Sequence, residues 1–212
     1  MKSITPTKSL DEGCLFTSQL ASLDLRNNNI GDDGALKLSF CLKTNRTLLS
    51  LILWATHLSP VGIGHLCNGL MENLTLQHFD VGSNTVGFEG SKYLGELLTS
   101  NSTLTTLGIA SSEICSDDLI FITHALSTNR TLLRIDLRRN HRLSLKGIQE
   151  LNAVLEPNTV IQCICFDSQQ LIEKAKEGTE RHAMQSNIQA IQQTCERNVH
   201  NFIRSNSAPK PT

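Results

Sequence analysis

Apolar residues recur along this chain in two alternating rhythms. From Leu20 to Thr47 (LASLDLRNNNIGDDGALKLSFCLKTNRT) the first rhythm is that of a strand. Leu20, Leu23 and Leu25 follow L-x-x-L-x-L, and because side chains alternate across an extended segment, Leu23 and Leu25 point to one side, into a core. Asn28 and Ile30 continue the pattern, and Gly31 and Gly34 bracket a turn. The second rhythm follows: Ala35, Leu38, Ser39 and Leu42 step by three and four, which predicts one buried helix face. Asn45 ends that helix and Thr47 leads into the next leucine. A strand, a turn, a helix and a turn back cannot bury their apolar side alone, so the unit needs a neighbour of the same shape.

The neighbours are present. Asn45, Asn73, Asn101 and Asn129 close successive helices at 28-residue steps, and the triplets Leu20/Leu23/Leu25, Leu48/Leu51/Leu53, Leu76/Phe79/Val81, Leu104/Leu107/Ile109 and Leu132/Ile135/Leu137 keep the same step. The next triplet is expected at Val160/Cys163/Cys165, after one extra residue in Asn140-His141-Arg142-Leu143. The predicted fold is α/β: a leucine-rich repeat solenoid with a parallel concave sheet, convex helices and a C-terminal helical cap. Its 28-residue period and G-x-x-G-A turn resemble the ribonuclease-inhibitor type of repeat.

The change of pattern along the chain predicts its organisation. Residues 1–9 are expected to be disordered, and 10–19, with Leu10, Cys14 and Leu15 at helical spacing, to form a half-repeat helix. The array of five repeats and a closing strand occupies 20–167. In 168–205 the period stops, and Met184, Ile188, Ile191, Cys195, Val199 and Phe202 step as an amphipathic helix. Such a helix either hides the edge of the last repeat or is offered to a partner. Residues 206–212, with Pro209 and Pro211, read as a disordered tail.

Composition narrows the function classes. A net charge of -1 gives no basic stripe for nucleic acid, and no apolar run is long enough to span a bilayer. Residues 1–13 lack the apolar centre of a signal peptide. The seven cysteines show no metal-ligand spacing, and Cys163 and Cys165, at leucine positions, read as small core residues. A reducing, cytoplasmic setting is expected, without metal or cofactor, and with the nucleus left open. Asn45, Asn73, Asn101 and Asn129 each begin an N-x-T glycosylation pattern. Each turn calls for an asparagine, which closes a helix in the left-handed conformation, and a threonine, which starts a strand.

Residues that the core does not need carry the functional signal. On the concave face, one column is predicted to run Asp24, Ile52, Asp80, Gly108, Asp136, Ile164, and the next Arg26, Trp54, Gly82, Ala110, Arg138, Phe166. Repeat proteins use such a curved sheet for binding. Trp54, the one tryptophan, has Ile52 two residues before it, Arg26 on the strand beside it, and Gly82 on the other side leaving the indole face open. Tryptophan with arginine is the composition of an interface hot spot, worth about 2–4 kcal/mol on truncation. The same pair can instead stack within the chain, at about 0.5–1 kcal/mol. Arg134, Asp136, Arg138 and Arg139 form a second charged patch, either a ligand site for an acidic group or a ladder that satisfies itself. His78 lies in a concave column beside Asp80, with Ser50 and Thr106 flanking it, but no nucleophile is positioned with it, so catalysis is not expected.

The strand sequences go beyond a generic repeat. LDLRNN (23–28), LILW (51–54), Gly82–Asn84 with the F-E-G turn (88–90), LGIASS (107–112) and LLRIDLRRN (132–140), followed by NIQAIQQTCERN (187–198), resemble the protein phosphatase 1 regulatory subunit 37 family over roughly residues 20–200. The resemblance implies a non-enzymatic subunit that binds and inhibits type-1 protein phosphatase. In that family the phosphatase docks on an extended basic–valine–any–phenylalanine peptide before the repeats. Residues 1–19 hold no such peptide here, and the nearest strings are Lys37-Leu38-Ser39-Phe40 and Val199-His200-Asn201-Phe202. The alternatives are a regulator of a small GTPase, acting through loop residues such as Asn27 or Arg139, or a general protein-interaction scaffold.

Overall fold

A computed structural model describes residues 19–176 and 178–207. The disorder expected at 1–9, the half-repeat helix expected at 10–19 (save its last residue) and the tail from 208 onward lie outside the described residues.

Strand and helix alternate: β1 (Ser22–Asp24), α1 (Gly31–Thr44), β2 (Ser50–Ile52), α2 (Pro60–Met71), β3 (His78–Asp80), α3 (Gly87–Ser100), β4 (Thr106–Gly108), α4 (Ser116–Thr128), β5 (Arg134–Asp136), α5 (Leu145–Leu155) and β6 (Cys163–Cys165). The six strands form one parallel sheet in chain order, and Leu23, Leu51, Phe79, Leu107, Ile135 and Ile164 pair along a single row. The predicted strand leucines and the helix faces Ala35/Leu38/Leu42, Ile63/Leu66/Leu70, Leu94/Leu97/Leu98 and Leu119/Ile122/Leu126 meet between sheet and helices in one continuous core. The repeat is therefore an α/β solenoid, as the two rhythms predict.

The sixth strand corrects the expected phase. The added residue lies between Asn140 and Leu143, so helix α5 starts after Ser144, 29 residues beyond Cys115 at the start of α4. The helix-closing asparagine is Asn158, 29 after Asn129, and the triplet is Ile161/Ile164/Phe166. Ile164 and Phe166 pack against the core. Cys163 and Cys165 are not core residues; they pair with Arg134 and Asp136 and share their concave face.

The helix-closing asparagines also work differently from expectation. Asn45, Asn101 and Asn129 have extended backbones, with φ between -64 and -83°, not left-handed ones. Their buried side chains hold the turn instead. In Asn101, Oδ1 accepts from the Thr103 and Leu104 amides at 2.9 Å, while Nδ2 donates back to Leu70 O at 3.0 Å in the preceding repeat. Asn73, Asn129 and Asn158 repeat the arrangement toward Leu42 O, Leu98 O and Leu126 O. A buried polar group without a partner costs about 1–3 kcal/mol, so this ladder ties neighbouring repeats through groups that would otherwise oppose stacking.

A second, doubled period lies over the first. At the end of alternate strands stand Asn28, Asn84 and Asn140, and between them Thr56 and Ser112. Asn84 Oδ1 accepts from the amides of Thr56 and Leu58 at 3.0 Å; Asn140 Oδ1 accepts from Ser112 and Ile114 at 3.0 and 3.1 Å. In return the Thr56 carbonyl accepts from the Gly31 amide, and that of Ser112 from Gly87. Both glycines have φ near +55°, where a β-carbon is unfavourable. The two kinds of turn are complementary, not interchangeable.

The C-terminal block is two helices, α6 (Ser168–Lys174) and α7 (Thr179–Ser207), separated at Gly178. Met184, Ile188, Ile191 and Cys195 are buried where α7 packs on α5, α6 and β6. Asn198, buried as well, donates to Asn158 O at 3.0 Å and Ile161 O at 2.7 Å. It thus continues the asparagine ladder from a helix that is no repeat. This part of α7 hides the edge of the array. Phe202 and the neighbouring Ile203 stay exposed, so the amphipathic pattern overextends the packed face by a turn.

Candidate protein-binding surface

Two residues per strand and the second residue after it project from the concave sheet, because the residues between them, such as Leu23 and Leu25 or Leu51 and Leu53, are committed to the core. The sheet gathers Asp24, Arg26, Ile52, Trp54, His78, Asp80, Arg134, Asp136 and Arg138 on one surface.

Trp54 is half-buried. Its ring lies on Gly82, so closely that a β-carbon there would overlap Cζ3 and Cε3 of the indole. The expectation that Gly82 leaves an indole face open is thus overturned: glycine is the seat of the ring. Arg26 does not complete the predicted stack. Its Nε and Nη2 turn to Asp24 on its own strand, with Nη2 to Oδ2 at 2.7 Å. Among the described residues the aromatic contact is an edge-on pair on the helical side, Phe88 and Phe121, with centroids 5.0 Å apart. The spacing explains Arg26: two residues apart on one strand face, a guanidinium reaches its own strand's carboxylate more readily than the neighbouring ring. Hydrogen bonding by Arg26, outweighing burial, holds the Asp24 carboxyl below the ordinary range.

Four repeats along, Asp136 and Arg138 reproduce this clamp. Arg138 Nη2 approaches Oδ2 at 2.5 Å and Nε approaches Oδ1 at 2.9 Å, while the Arg138 amide donates to Oδ1 at 3.1 Å. Burial pushes the Asp136 carboxyl up, but hydrogen bonds from Arg138 and the charges of Arg138 and Arg134 outweigh it, and the net direction is down. Of the two expectations for this patch, the self-satisfied ladder describes Asp136 and Arg138. Arg134 is directed elsewhere, with Nη1 donating to Cys163 Sγ at 3.4 Å.

His78 and Asp80 share a face of β3. Asp80 Oδ1 accepts from the Gly82 amide at 2.9 Å, and the carboxylate leans over Gly108 as Trp54 leans over Gly82. Among the described residues no three His, Cys, Asp or Glu side chains are grouped to hold a metal ion, and no helix is long and apolar enough to cross a membrane.

Sequence reasoning missed two features. At the strand ends, Asn27, Ala55, Ser83, Ser111 and Arg139 all have positive φ, one per repeat. Asn27, Ala55, Ser83 and Ser111, with His57 and Glu113, line an open cleft of about 750 Å³ with both polar and apolar walls, and Ala55 follows Trp54 directly in the chain. The signal was faint because only Asn27 is a residue type that favours this conformation. On the helical side, Met71, Lys92, Gly95, Ile120, Phe121 and His124 line an apolar groove of about 770 Å³ between α3 and α4.

Comparison with known proteins agrees with this geometry. Residues 20–39 match the family model described as Leucine Rich repeat. The chain is 31% identical over 168 residues to ribonuclease inhibitor of Sus scrofa, covering 77% of this chain and 37% of that protein. It is 29% identical over 153 residues to NACHT, LRR and PYD domains-containing protein 13 of Homo sapiens, covering 72% of this chain and 15% of that one. It thus spans well under half the length of these curated relatives. Among solved structures it superposes on the tropomodulin C-terminal domain of Caenorhabditis elegans (TM-score 0.64, 12% identity, 82% of this chain and 97% of that one). The actin-binding site 2 region of leiomodin-1 gives a TM-score of 0.58 at 13% identity, over 90% and 87% of the two chains. Fold, register and sequence likeness define the class: a leucine-rich repeat protein with ribonuclease-inhibitor-like repeats.

Proposed function

We propose that this chain is a non-enzymatic protein-binding module whose concave face receives a protein partner at Trp54. The observation that carries the reading is the seat of the indole on Gly82. A large aromatic ring already fixed in one pose loses little side-chain freedom on binding, so more of its burial is available as affinity. The Asp24–Arg26 and Asp136–Arg138 clamps flank it as a polar frame whose charges are already partnered. The cytoplasm is the setting proposed for this module, on the strength of cysteines without metal-ligand spacing.

The finer reading takes the partner to be the type-1 protein phosphatase catalytic subunit, with inhibition as the outcome. It is supported by the strand and helix sequences that resemble the regulatory subunit 37 family. Lys37–Phe40 lies in α1 with Leu38 buried and Val199–Phe202 lies in α7, so neither string is available as an extended docking peptide. The contact proposed for the residues of this chain is the concave face.

Calorimetric titration of the purified phosphatase catalytic subunit with the wild-type chain and Trp54→Ala tests both levels. The expected result is saturable binding that weakens roughly 30- to 700-fold in the variant. No binding by the wild type overturns the phosphatase reading. Capture from cell extract, quantified by mass spectrometry, then tests the module: identical sets of captured proteins with Trp54→Ala and wild type overturn the Trp54 assignment.

A further inference from the structure

The phase shift of the sixth strand brings together two thiols that no repeat requires. At the matching positions of the other strands stand Ser22 and Asp24, Ser50 and Ile52, His78 and Asp80, Thr106 and Gly108, Arg134 and Asp136. Cys163 and Cys165 are half-buried on the concave face, with Sγ atoms 3.4 Å apart. Cys41, Cys67 and Cys195, in contrast, are buried in the core.

We infer that Cys163 and Cys165 are a redox-active dithiol, a modification site that a hydroperoxide converts to an intrastrand disulfide at the end of the concave face. The sulfurs already meet at 3.4 Å, but closing the bond requires β6 to pucker: bridged cysteines hold their β-carbons about 3.5–4.5 Å apart, whereas two residues on one face of an extended strand stand about 6.6 Å apart. Their side chains leave the strand on one side, and β6 is the last strand of the sheet, paired with β5 alone. Metal binding is the competing use of a thiol pair. A zinc ion held by sulfur takes four ligands, and no third His, Cys, Asp or Glu completes such a group among the described residues.

The two sulfurs are not equivalent. Arg134 Nη1 donates to Cys163 Sγ at 3.4 Å, so this is the sulfur with a cation beside it, and the attack is assigned to it. Burial first, and then the hydrogen bond with Cys163, push the Cys165 thiol up to about 11, keeping it protonated until its turn comes. The Cys163 thiolate attacks one peroxide oxygen, the O–O bond breaks, and the alcohol leaves after taking a proton, giving a sulfenic acid. The Cys165 sulfur gives up its proton and attacks Cys163 Sγ; the S–O bond breaks and water departs. Two thiols and one hydroperoxide become one disulfide, one alcohol and one water, with the sulfur pair oxidised by two electrons and the O–O bond reduced. This site stands independently of the identity of any binding partner.

The test is peptide mapping of the whole folded protein after a limited pulse of hydrogen peroxide, with free thiols alkylated under denaturing conditions. The expected product is a Gly147–Lys174 tryptic peptide lighter by two hydrogens and unalkylated at both cysteines, which dithiothreitol returns to the doubly alkylated form. In Cys165→Ser, the bridge is lost and a dimedone adduct accumulates at Cys163 instead. Serine stands at the Cys163 position in β1 and β2, so Cys163→Ser, which loses both bridge and adduct, serves as a second variant with a side chain the fold already accepts. Recovery of both cysteines alkylated, or oxidised separately without a bridge, at a peroxide dose that also modifies Cys115, overturns the inference.

Discussion

Trp54 and Gly82 are 28 residues apart, and their contact shows how the repeat converts sequence spacing into adjacency. The ring needs a floor, and any residue with a β-carbon would remove it. Gly82→Ala is expected to displace the indole at a cost of about 1–3 kcal/mol, the usual range for overpacking. Because Trp54 is the only tryptophan, its emission reports the displacement directly: a red shift together with a lower urea midpoint is expected, and unchanged emission refutes the seat. Asp136 makes a separate case. A carboxyl whose folded pKa lies below its unfolded value contributes stability that is complete above the unfolded pKa and is lost as pH falls through the folded one. Asp136→Asn is therefore expected to cost about 1 kcal/mol at pH 7, as exposed ion pairs do, and the difference from wild type to shrink as pH falls from about 4 toward 2. Urea unfolding at pH 7 and pH 3 measures it, and an equal deficit at both rules the clamp out. The identity and face of these residues were legible from the period. Which neighbour Arg26 would choose was not, because the strand beside it and its own strand offer targets at similar range.

At the scale of the element, the asparagines were visible as a periodic residue, but their work was not. Sequence shows that each helix ends on Asn; it does not show that Nδ2 reaches across to the previous repeat. Asn198 extends that linkage to α7, where no period announces it. Asn198→Ala removes both donors to the carbonyls of Asn158 and Ile161, and buried acceptors left unpaired are expected to cost about 1–3 kcal/mol. Hydrogen exchange is the sharper probe: amides of α5 and β6 should lose protection while those of β2 and β3 keep theirs, and uniform loss would mean that the ladder does not act locally. The phase of β6 was likewise within reach of the sequence. The extra residue between Asn140 and Leu143 is plain, yet Val160, Cys163 and Cys165 keep the 28-residue step. Only the isoleucines one place further along, which satisfy the core, decide against them.

On the scale of the whole molecule, the solenoid and its parallel sheet follow from five phased copies of one motif, because each copy exposes an apolar side that only the next can cover. The place where the period stops was equally clear, and the break at Gly178 was not, since the apolar steps run on through α7. What the 28-residue period concealed is the doubled one. Asn28, Asn84 and Asn140 alternate with Thr56 and Ser112, and each kind of turn supplies what the other lacks.

That alternation gives the array a parity. Removing or adding one coil would bring two turns of the same sort face to face, so that amides such as those of Thr56 and Leu58 would meet a turn without the asparagine side chain that accepts from them, whereas a pair of coils can be exchanged without disturbing the seams. The natural currency of growth in this architecture is thus the couple: lineages of such chains should differ by even numbers of coils, and a designer seeking a longer or shorter crescent should cut at intervals of two.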